Sequence, residues 1–155
     1  MANCCCYSMK VAGQKENVKE FIDVVKNDYS YDREGNYHGD CDRHLSRVFV
    51  KKIVACQENK EDECKKEILG HCAWSVYSAM TEGGYYTSRY KKEYGQNSHA
   101  TTLKLESENL QLKIEVFSEE SGLGFREHYL YDNGEAILEE CIDECDDVAE
   151  REFSI

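Results

Sequence analysis

The sequence predicts an α+β fold, a sandwich in which one main helix and one or two short helices cover one face of a mostly antiparallel sheet. One observation is an apolar stripe at helical spacing near the N-terminus, and a second is a set of alternating apolar and polar runs in the last third of the chain. A third is the order of the segments, because strands mixed with helices and ending in a hairpin are typical of this class.

The N-terminal segment predicts a strand followed by the main helix. Cys4–Ala12 mixes apolar and polar residues in an imperfect alternation that Gly13 ends. From about Gln14 to Lys26, apolar side chains recur at i, i+3, i+4 and i+7, which places them on one stripe of an amphipathic helix. The stripe consists of Val18, Phe21, Ile22 and Val25.

The middle of the chain predicts less regular elements. Asn27–Arg43 is polar and contains several Gly and Asp residues, so we expect a loop there. Leu45–Cys56 predicts a second strand. Asn59–Leu69 predicts a weak helix with little more than one apolar turn, and Cys72–Met80 predicts a third strand that contains the only tryptophan.

Residues 81–100 interrupt this pattern. They hold several glycines and tyrosines without clear periodicity, which predicts a Tyr-rich loop insertion. Thr101 or Thr102 can then cap a short helix that runs through Asn109. The alternation that begins at Leu103 fits a strand instead, so both interpretations stay open.

Three successive strands are predicted in the last third of the chain. Ile114 and Val116 alternate with polar neighbours in the first, and Phe125–Tyr131 alternates in the second. Asp132-Asn133-Gly134 then supplies residues that accept positive φ, which is a strong signal for a tight hairpin. Beyond this turn, apolar residues alternate with acids in the third strand.

The composition predicts a single domain over residues 1–155, with the insertion at 81–100 and an acidic C-terminal segment at 139–155. No apolar run is long enough for a membrane span, and the N-terminus lacks an export signal. The nine cysteines are odd in number, and three are consecutive, so we expect reduced thiols and a cytoplasmic location. No cofactor is predicted.

The net charge of −12 is concentrated at the C-terminus, where residues 135–155 hold nine acids against the single base Arg151. Such a field repels nucleic acid and favours a basic partner. We therefore expect no direct binding to nucleic acid and none to a membrane.

Two segments resemble a known family. The opening Met1–Cys4, followed by a strand, Gly13 and the main helix, resembles the start of the YubB-type ferredoxin-like domain proteins of phages and conjugative plasmids. In that family a Trp usually stands between Asn and Cys, and here Cys4 stands in its place. Glu115–His128 is similar to the family's strand–Gly–Phe–x–Glu segment before the final hairpin. The resemblance implies a ferredoxin-like fold without an iron–sulfur cluster and an accessory role, mostly of unknown kind, on a mobile element. It carries no catalytic residues across to this chain, and a mobile-element protein would lie in the cytoplasm of its host cell.

The acidic segment is the first candidate site. Clustered carboxylates can imitate the phosphates of nucleic acid and occupy a basic channel, although a solvated charged surface is the alternative. The predicted function is therefore a non-catalytic, anti-CRISPR-like inhibitor of a host protein with a basic nucleic-acid-binding surface, of which a CRISPR effector nuclease is an example. The residues predicted to bind the partner form an acidic face of Glu139, Glu140, Asp143, Glu144, Asp146 and Asp147.

The Tyr-rich insertion is the second candidate site. It interleaves aromatic rings with positive charge, which suits stacking on a nucleobase beside bound phosphate or docking onto a protein. The alternative function is thus sequestration of a nucleotide signal. A loop that folds back on the sheet, with its tyrosines half buried, is the structural alternative. The candidate residues are Tyr85, Tyr86, Arg89, Tyr90, Lys91 and Lys92.

Two further groups of residues have the side-chain types of reactive or metal-binding sites. Glu127 and His128 offer a carboxylate and an imidazole beside a glycine-rich turn, which would suit a small hydrolytic enzyme as a second alternative. His38, Cys41 and His44 have ligand types at a spacing that metal sites use, but no second element with such a spacing accompanies them. We therefore predict neither an enzyme nor a metal site.

Overall fold

The computed structural model describes residues 4–58, 62–120, 122, 124–143 and 153–155. The strands in these ranges are β1 (Cys4–Gln14), β2 (Ser30–Tyr31), β3 (Tyr37–His38), β4 (Val48–Glu58), β5 (Glu63–Ala73), β6 (Lys113–Glu120), β7 (Phe125–Asp132) and β8 (Glu135–Asp143). The helices are α1 (Lys15–Val25), α2 (Val76–Met80), α3 (Tyr85–Tyr94) and α4 (Leu103–Asn109), with a 3₁₀ turn at Gly95–Asn97. No helix among the described residues has the length and apolar content needed to cross a bilayer.

Six strands form one sheet in the order β4-β5-β1-β6-β7-β8, and all neighbours are antiparallel. The predicted α+β class with an antiparallel sheet is therefore confirmed. The edge strands β4 and β8 both show breaks in register against their neighbours. Bulges and charged side chains on edge strands hinder pairing with another chain, so both edges are protected against aggregation.

One face of the sheet, called the core face here, is covered by α1, α2 and α4. Alternate residues of β1 point into it, and the apolar stripe of α1 packs against them, as the helical spacing predicts. The fully buried side chains at this interface include Met9, Phe21, Ile68, Ile114 and Leu103. Because these helices lie on one side, the other side of the sheet is the more exposed of the two.

That other side, called the open face here, carries the alternate residues of the same strands. In β1 these are Cys4, Cys6, Ser8 and Lys10, of which the two cysteines are exposed. The register places Ser8 beside Phe117 of β6, and Phe117 beside His128 of β7. Mixed aromatic and charged side chains therefore line this face.

The hairpin and the helix cap are confirmed. Asp132 pairs with Glu135, which leaves Asn133 and Gly134 as a two-residue loop with φ values of 48° and 85°. This is the positive-φ geometry that matches the twist of a hairpin. Thr102 caps α4, and its side chain accepts a hydrogen bond from the backbone N–H of Leu105.

Two predictions in the middle of the chain are wrong. The weak helix at Asn59–Leu69 is β5 from Glu63 onward, because pairing with both β1 and β4 outweighs a single apolar turn. The strand predicted for Cys72–Met80 ends at Ala73. Trp74 has a φ of 66°, which turns the chain, and Ser75 then caps α2 by accepting a hydrogen bond from the N–H of Ser78 at 3.0 Å.

The two predicted loops also contain regular structure. Residues 81–100 hold α3, which begins after Gly84 and ends at Gly95 with a φ of 54°. The weak apolar stripe of this helix buries little besides Tyr86, which explains why periodicity did not reveal it. Residues 27–43 contain the short β2–β3 ribbon.

Candidate functional site

A groove between the end of α1 and the edge strand β4 is the candidate site, and we call it the α1–β4 groove. It has a volume of about 690 Å³, which exceeds the 380 to 530 Å³ of the other cavities described below. Several residues with positive charge or a tyrosine ring belong to its lining. They are Lys26, Tyr29, Arg47, Lys51, Lys52 and Tyr90.

The charge of the groove opposes the charge of the chain. Four cations line it, with Asp28 as the only acid among its lining residues, whereas the whole chain carries −12. Within the described part of the chain, none of these four cations lies in an ion pair. Arg43 contrasts with them, because it contacts the carboxylates of Glu106, Glu20 and Asp42 at 2.8 to 3.0 Å. The groove therefore has positive charge that the described side chains do not neutralise.

Arg47 is held in a strained backbone conformation at the start of this groove. Its φ is 61°, in the left-handed region that residues other than Gly rarely adopt. Two hydrogen bonds hold it there: its N–H donates to the hydroxyl of Tyr29 at 3.0 Å, and its carbonyl accepts from Ala73 at 3.1 Å. Its guanidinium lies 5.2 Å from the ring centre of Tyr86. Strained residues that neighbours hold in place are concentrated at functional sites.

Two tyrosines of the groove, Tyr29 and Tyr90, lie beside the buried His44, and we call these three rings the aromatic wall. Tyr29 stacks on His44 with ring centres 3.6 Å apart, and its hydroxyl lies 3.3 Å from that of Tyr90. His44 is fully buried, and its Nδ1 lies 3.0 Å from the carbonyl of Leu45. Because a carbonyl only accepts, Nδ1 carries the proton, and Nε2 accepts from the hydroxyl of Tyr31 at 2.7 Å.

Burial sets the ionisation of this wall. It lowers the pKa of His44 to about 4, so the imidazole is neutral at physiological pH. It also raises the pKa of Tyr29 far above its ordinary value, with a further contribution from the hydrogen bond to Tyr90. The wall is therefore uncharged, and the charge of the groove comes from its lysines and Arg47.

Further rings extend the wall away from the groove. Tyr31 stacks on Tyr94 of α3 at 3.8 Å, and Tyr37 stacks on His99 at 4.1 Å. Burial raises the pKa of Tyr31 and of Tyr37. This cluster joins the β2–β3 ribbon to α3 and gives Tyr29 a fixed position.

Comparison of the chain with protein-family models, with curated proteins and with solved structures finds no match. The chemistry of the groove itself therefore indicates what it can bind. Flat aromatic rings beside several cations suit a ligand that has an aromatic ring and several negative charges.

The residues predicted from the Tyr-rich insertion separate into three groups. Tyr90 lies in the groove. Tyr85, Tyr86 and Arg89 line another cavity of about 490 Å³ beside Trp74. The last pair, Lys91 and Lys92, is exposed on α3 and does not line the groove. The insertion therefore contributes one ring to the site rather than a whole binding surface.

The predicted acidic residues that the structure describes lie on the β8 edge of the sheet, and their side chains are not all on one face. Glu139 points to the core side, where it accepts a hydrogen bond from the hydroxyl of Tyr131 at 2.9 Å. Glu140, the next residue, lies opposite His128 on the open face. Both still line one cavity of about 530 Å³ at the β8 edge. Asp143 ends β8, whereas three residues lie outside the described part of the chain, namely Glu144, Asp146 and Asp147.

Glu127 and His128 do not form a joint acid–base site. Successive residues of a strand point to opposite faces, and Glu127 lies buried on the core face. Its carboxylate accepts hydrogen bonds from the N–H groups of Val76 and Tyr77, at 2.8 and 2.9 Å, and thereby holds the N-terminus of α2. Hydroxyls of two core-face neighbours, Ser118 and Tyr129, donate to it as well. The pairing of these two residues in a hydrolytic centre is therefore wrong.

The two histidines among the three residues with metal-ligand types occupy separate environments, and Cys41 is a half-buried free cysteine. His38 is exposed, and its Nε2 lies 3.0 Å from a carboxylate oxygen of Asp32. His44 has both ring nitrogens engaged in the aromatic wall. Sequence reasoning missed the role of His44 and of Tyr29. The signal that could have found them is the recurrence of tyrosine in the polar segment from residue 27 to residue 43.

Proposed function

We propose that the protein is a non-catalytic binding protein whose α1–β4 groove holds a nucleotide or a similar ligand with an aromatic ring and phosphate groups. The observation that supports this proposal is the collection of two tyrosine rings and four cations that form no ion pair with the described residues, in one groove of a chain with a net charge of −12.

The recognition mode follows from the lining residues. Lys51, at the register shift of the edge strand, and Lys26 and Arg47 along the same groove suit contacts with phosphate oxygens. Lys52 pairs with Leu69 in a row of the open face and adds positive charge at the same edge. Tyr29 and Tyr90 offer ring surface on which a base can stack, which is worth about 1–3 kcal/mol per base in other proteins. The cavity volume falls in the range of roughly 300–1,000 Å³ that small-ligand sites occupy.

The experiment is a thermal-shift and calorimetric screen of nucleoside mono-, di- and triphosphates and cyclic nucleotides. A ligand that binds the folded state raises the melting temperature by mass action. Lys51→Gln/Lys52→Gln should weaken binding by about tenfold or more, since each charged contact contributes roughly 1.5–3 kcal/mol. Lys91→Gln/Lys92→Gln makes the same change of charge outside the groove and should leave the affinity unchanged.

Two results would contradict the proposal. The first is the absence of any stabilisation or heat across the panel at millimolar ligand. The second is an equal loss of affinity in the two double variants, because that result would assign the binding to general positive charge and not to the groove.

The acidic edge supports a second candidate function, which is the inhibition of a basic, nucleic-acid-binding host protein on behalf of a phage or plasmid. The supporting observation is that β8 carries four acids and no base. Carboxylates at an edge can approach a basic channel from both sides of the sheet, and association would be fast and sensitive to salt. The ferredoxin-like topology and membership of the mobile-element family remain predictions that belong to this candidate.

A DNA-displacement assay tests this second candidate. The protein should release labelled DNA from a purified host nuclease such as a CRISPR effector. A variant in which Glu139, Glu140, Asp143, Asp146 and Asp147 are all replaced by their amides should lose that ability. Equal displacement by the neutralised variant and the unmodified protein would exclude mimicry by these carboxylates.

A further inference from the structure

A carboxylate on the open face is completely enclosed, although its strand faces outward there. Glu115 of β6 has an exposed fraction of 0%. It hydrogen-bonds with Nε2 of His128 at 2.6 Å, with the backbone N–H of Ser154 at 2.6 Å and with the hydroxyl of Ser154 at 2.9 Å. The C-terminal residues make two of these three contacts, so a chain segment lying on the sheet helps to enclose this side chain.

Phe153 makes a second contact with the same region. Its ring meets that of Phe117 nearly edge-on, with ring centres 4.9 Å apart, and the ammonium group of Lys10 lies 4.6 Å from its centre. Phe117 in turn stacks on His128 at 4.0 Å. One aromatic subsite and one carboxylate subsite therefore lie side by side, joined by His128.

We propose that this part of the open face is a peptide-binding site, which Phe153–Ile155 occupies in the isolated chain. In trans, it takes an extended peptide segment in which an aromatic residue precedes a residue with a hydroxyl group. The chemistry follows from the two subsites: the Phe117–Lys10 pair accepts a ring, and Glu115 accepts a backbone N–H and a hydroxyl of the following residue.

Space beside these contacts is available for a longer ligand. A cavity of about 380 Å³ adjoins Phe117 on the open face and is lined by Cys6, Ser8, Glu119 and Arg126. Arg126 pairs with Glu119 at 3.3 Å, so the cavity offers both a cation and an anion to a passing peptide backbone. A partner peptide can thus make contacts that Phe153 and Ser154 do not make.

The C-terminal residues of the same chain compete with any such peptide. A tethered segment acts at an effective concentration in the millimolar range when its linker is short and flexible. The intact chain should therefore mask its own site, and weakening the tethered segment should expose it. Phe153→Ala removes the ring while it leaves every residue of the receiving surface in place.

The experiment uses fluorescence anisotropy with a labelled synthetic peptide that has the sequence of residues 149–155. Phe153→Ala protein should bind this peptide about tenfold more tightly than the intact chain, because of the lost competition. Adding Glu115→Gln to that variant should weaken binding by about tenfold or more, since a charge-assisted contact is lost. Adding Glu140→Gln instead, an exposed acid on the same face, should change nothing.

Peptide variants provide a test that does not depend on the folding of the Glu115→Gln protein. On Phe153→Ala protein, a peptide with Ala in place of Phe should not bind, and one with Ala in place of Ser should bind more weakly. Equal affinity of the intact chain and Phe153→Ala for the unmodified peptide would overturn the proposal. So would equal affinity of the three peptides, because the two subsites would then recognise nothing.

Discussion

The two edges of the sheet carry opposite charge, and they differ in how their side chains are held. At the β4 edge, Arg47, Lys51 and Lys52 line a groove that rests on the stack of Tyr29 and His44. At the β8 edge, four acids lie along an exposed strand whose side chains make few described contacts besides the bond of Glu139 to Tyr131. The positive edge therefore depends on packing among distant residues, whereas the negative edge depends mainly on the run of acids in β8 and on its pairing with β7.

This difference indicates which edge requires more free energy to form. The groove needs a left-handed arginine, a buried neutral histidine and several stacked rings, and each of these features opposes local preference. Glu140 of β8 is exposed, and Glu139 is exposed apart from its hydrogen bond with Tyr131. Features that oppose local preference are expected to persist where a ligand is bound. Substitutions at the β4 edge should therefore change stability or binding more than substitutions at the β8 edge do.

The largest effect is expected from His44→Ala. Removing a buried ring leaves a cavity, and it also removes partners from the carbonyl of Leu45 and the hydroxyl of Tyr31. We expect a loss of about 3 kcal/mol in the free energy of unfolding, in line with other large-to-small core changes. Urea titration measures it. Glu140→Ala, at the opposite edge, is the control and should change the value by less than about 0.5 kcal/mol.

The second-largest effect is expected from acid, which should lower the free energy of unfolding through the protonation of His44. The pKa of His44 is lowered to about 4 by burial, so the unfolded chain, with an ordinary value near 6.5, binds a proton that the folded chain does not. Stability contributed by the neutral ring is therefore present above the unfolded pKa and is lost as pH falls toward the folded pKa. Between pH 7.5 and pH 5 the loss should reach about 2 kcal/mol.

Carboxylates also titrate over part of this range, so the measurement is a difference. Urea titrations of the unmodified chain and of His44→Phe at both pH values give two slopes of stability against pH. The slope for His44→Phe should be shallower by the amount due to one proton. Parallel slopes would show that His44 is not held neutral by the fold.

A smaller effect is expected at Arg47, where two substitutions distinguish the strain of the backbone from the charge of the side chain. Both Arg47→Gly and Arg47→Ala remove the guanidinium, so both should weaken nucleotide binding equally. Only Gly accepts a φ of 61° without steric cost, and the glycine variant should therefore be more stable than the alanine variant by about 1 kcal/mol. Equal stability of the two variants would mean that the left-handed conformation does not persist in solution.

The difference between the edges also explains what could be predicted from sequence. The hairpin at Asn133 and Gly134, the stripe of α1 and the cap at Thr102 depend on residues close together in the chain, and the structure confirms all three. The prediction of a helix where β5 lies was wrong, because its strand character comes from pairing with β1 and β4, which are distant in sequence.

The groove could not be predicted from the sequence, because its residues are also distant from one another along the chain. Lys51 and Lys52 were visible only as charges within a strand, and Tyr29 only as part of a polar loop. Nothing local shows that α1, the loop and α3 bring these side chains to one place. The acidic cluster could be recognised in the sequence because its residues lie close together along the chain. Its division between two sides of the sheet follows from the alternation of a strand.

The smallest effect is expected at the negative edge. Replacing Glu139, Glu140 and Asp143 together by their amides preserves size and the acceptor for Tyr131, so the free energy of unfolding should change by less than about 0.5 kcal/mol.

Nucleotide affinity should not change in this triple variant either. Five strand spacings separate β8 from β4, about 24 Å, and this exceeds the screening length of about 8 Å at physiological salt. Calorimetric titration at about 0.15 M and about 0.01 M salt measures both regimes. At the lower salt the screening length grows to about 30 Å, so removal of the acids should then raise the affinity for a polyphosphate slightly. An equal gain at both salt concentrations would mean that the two edges communicate through the structure rather than through the field.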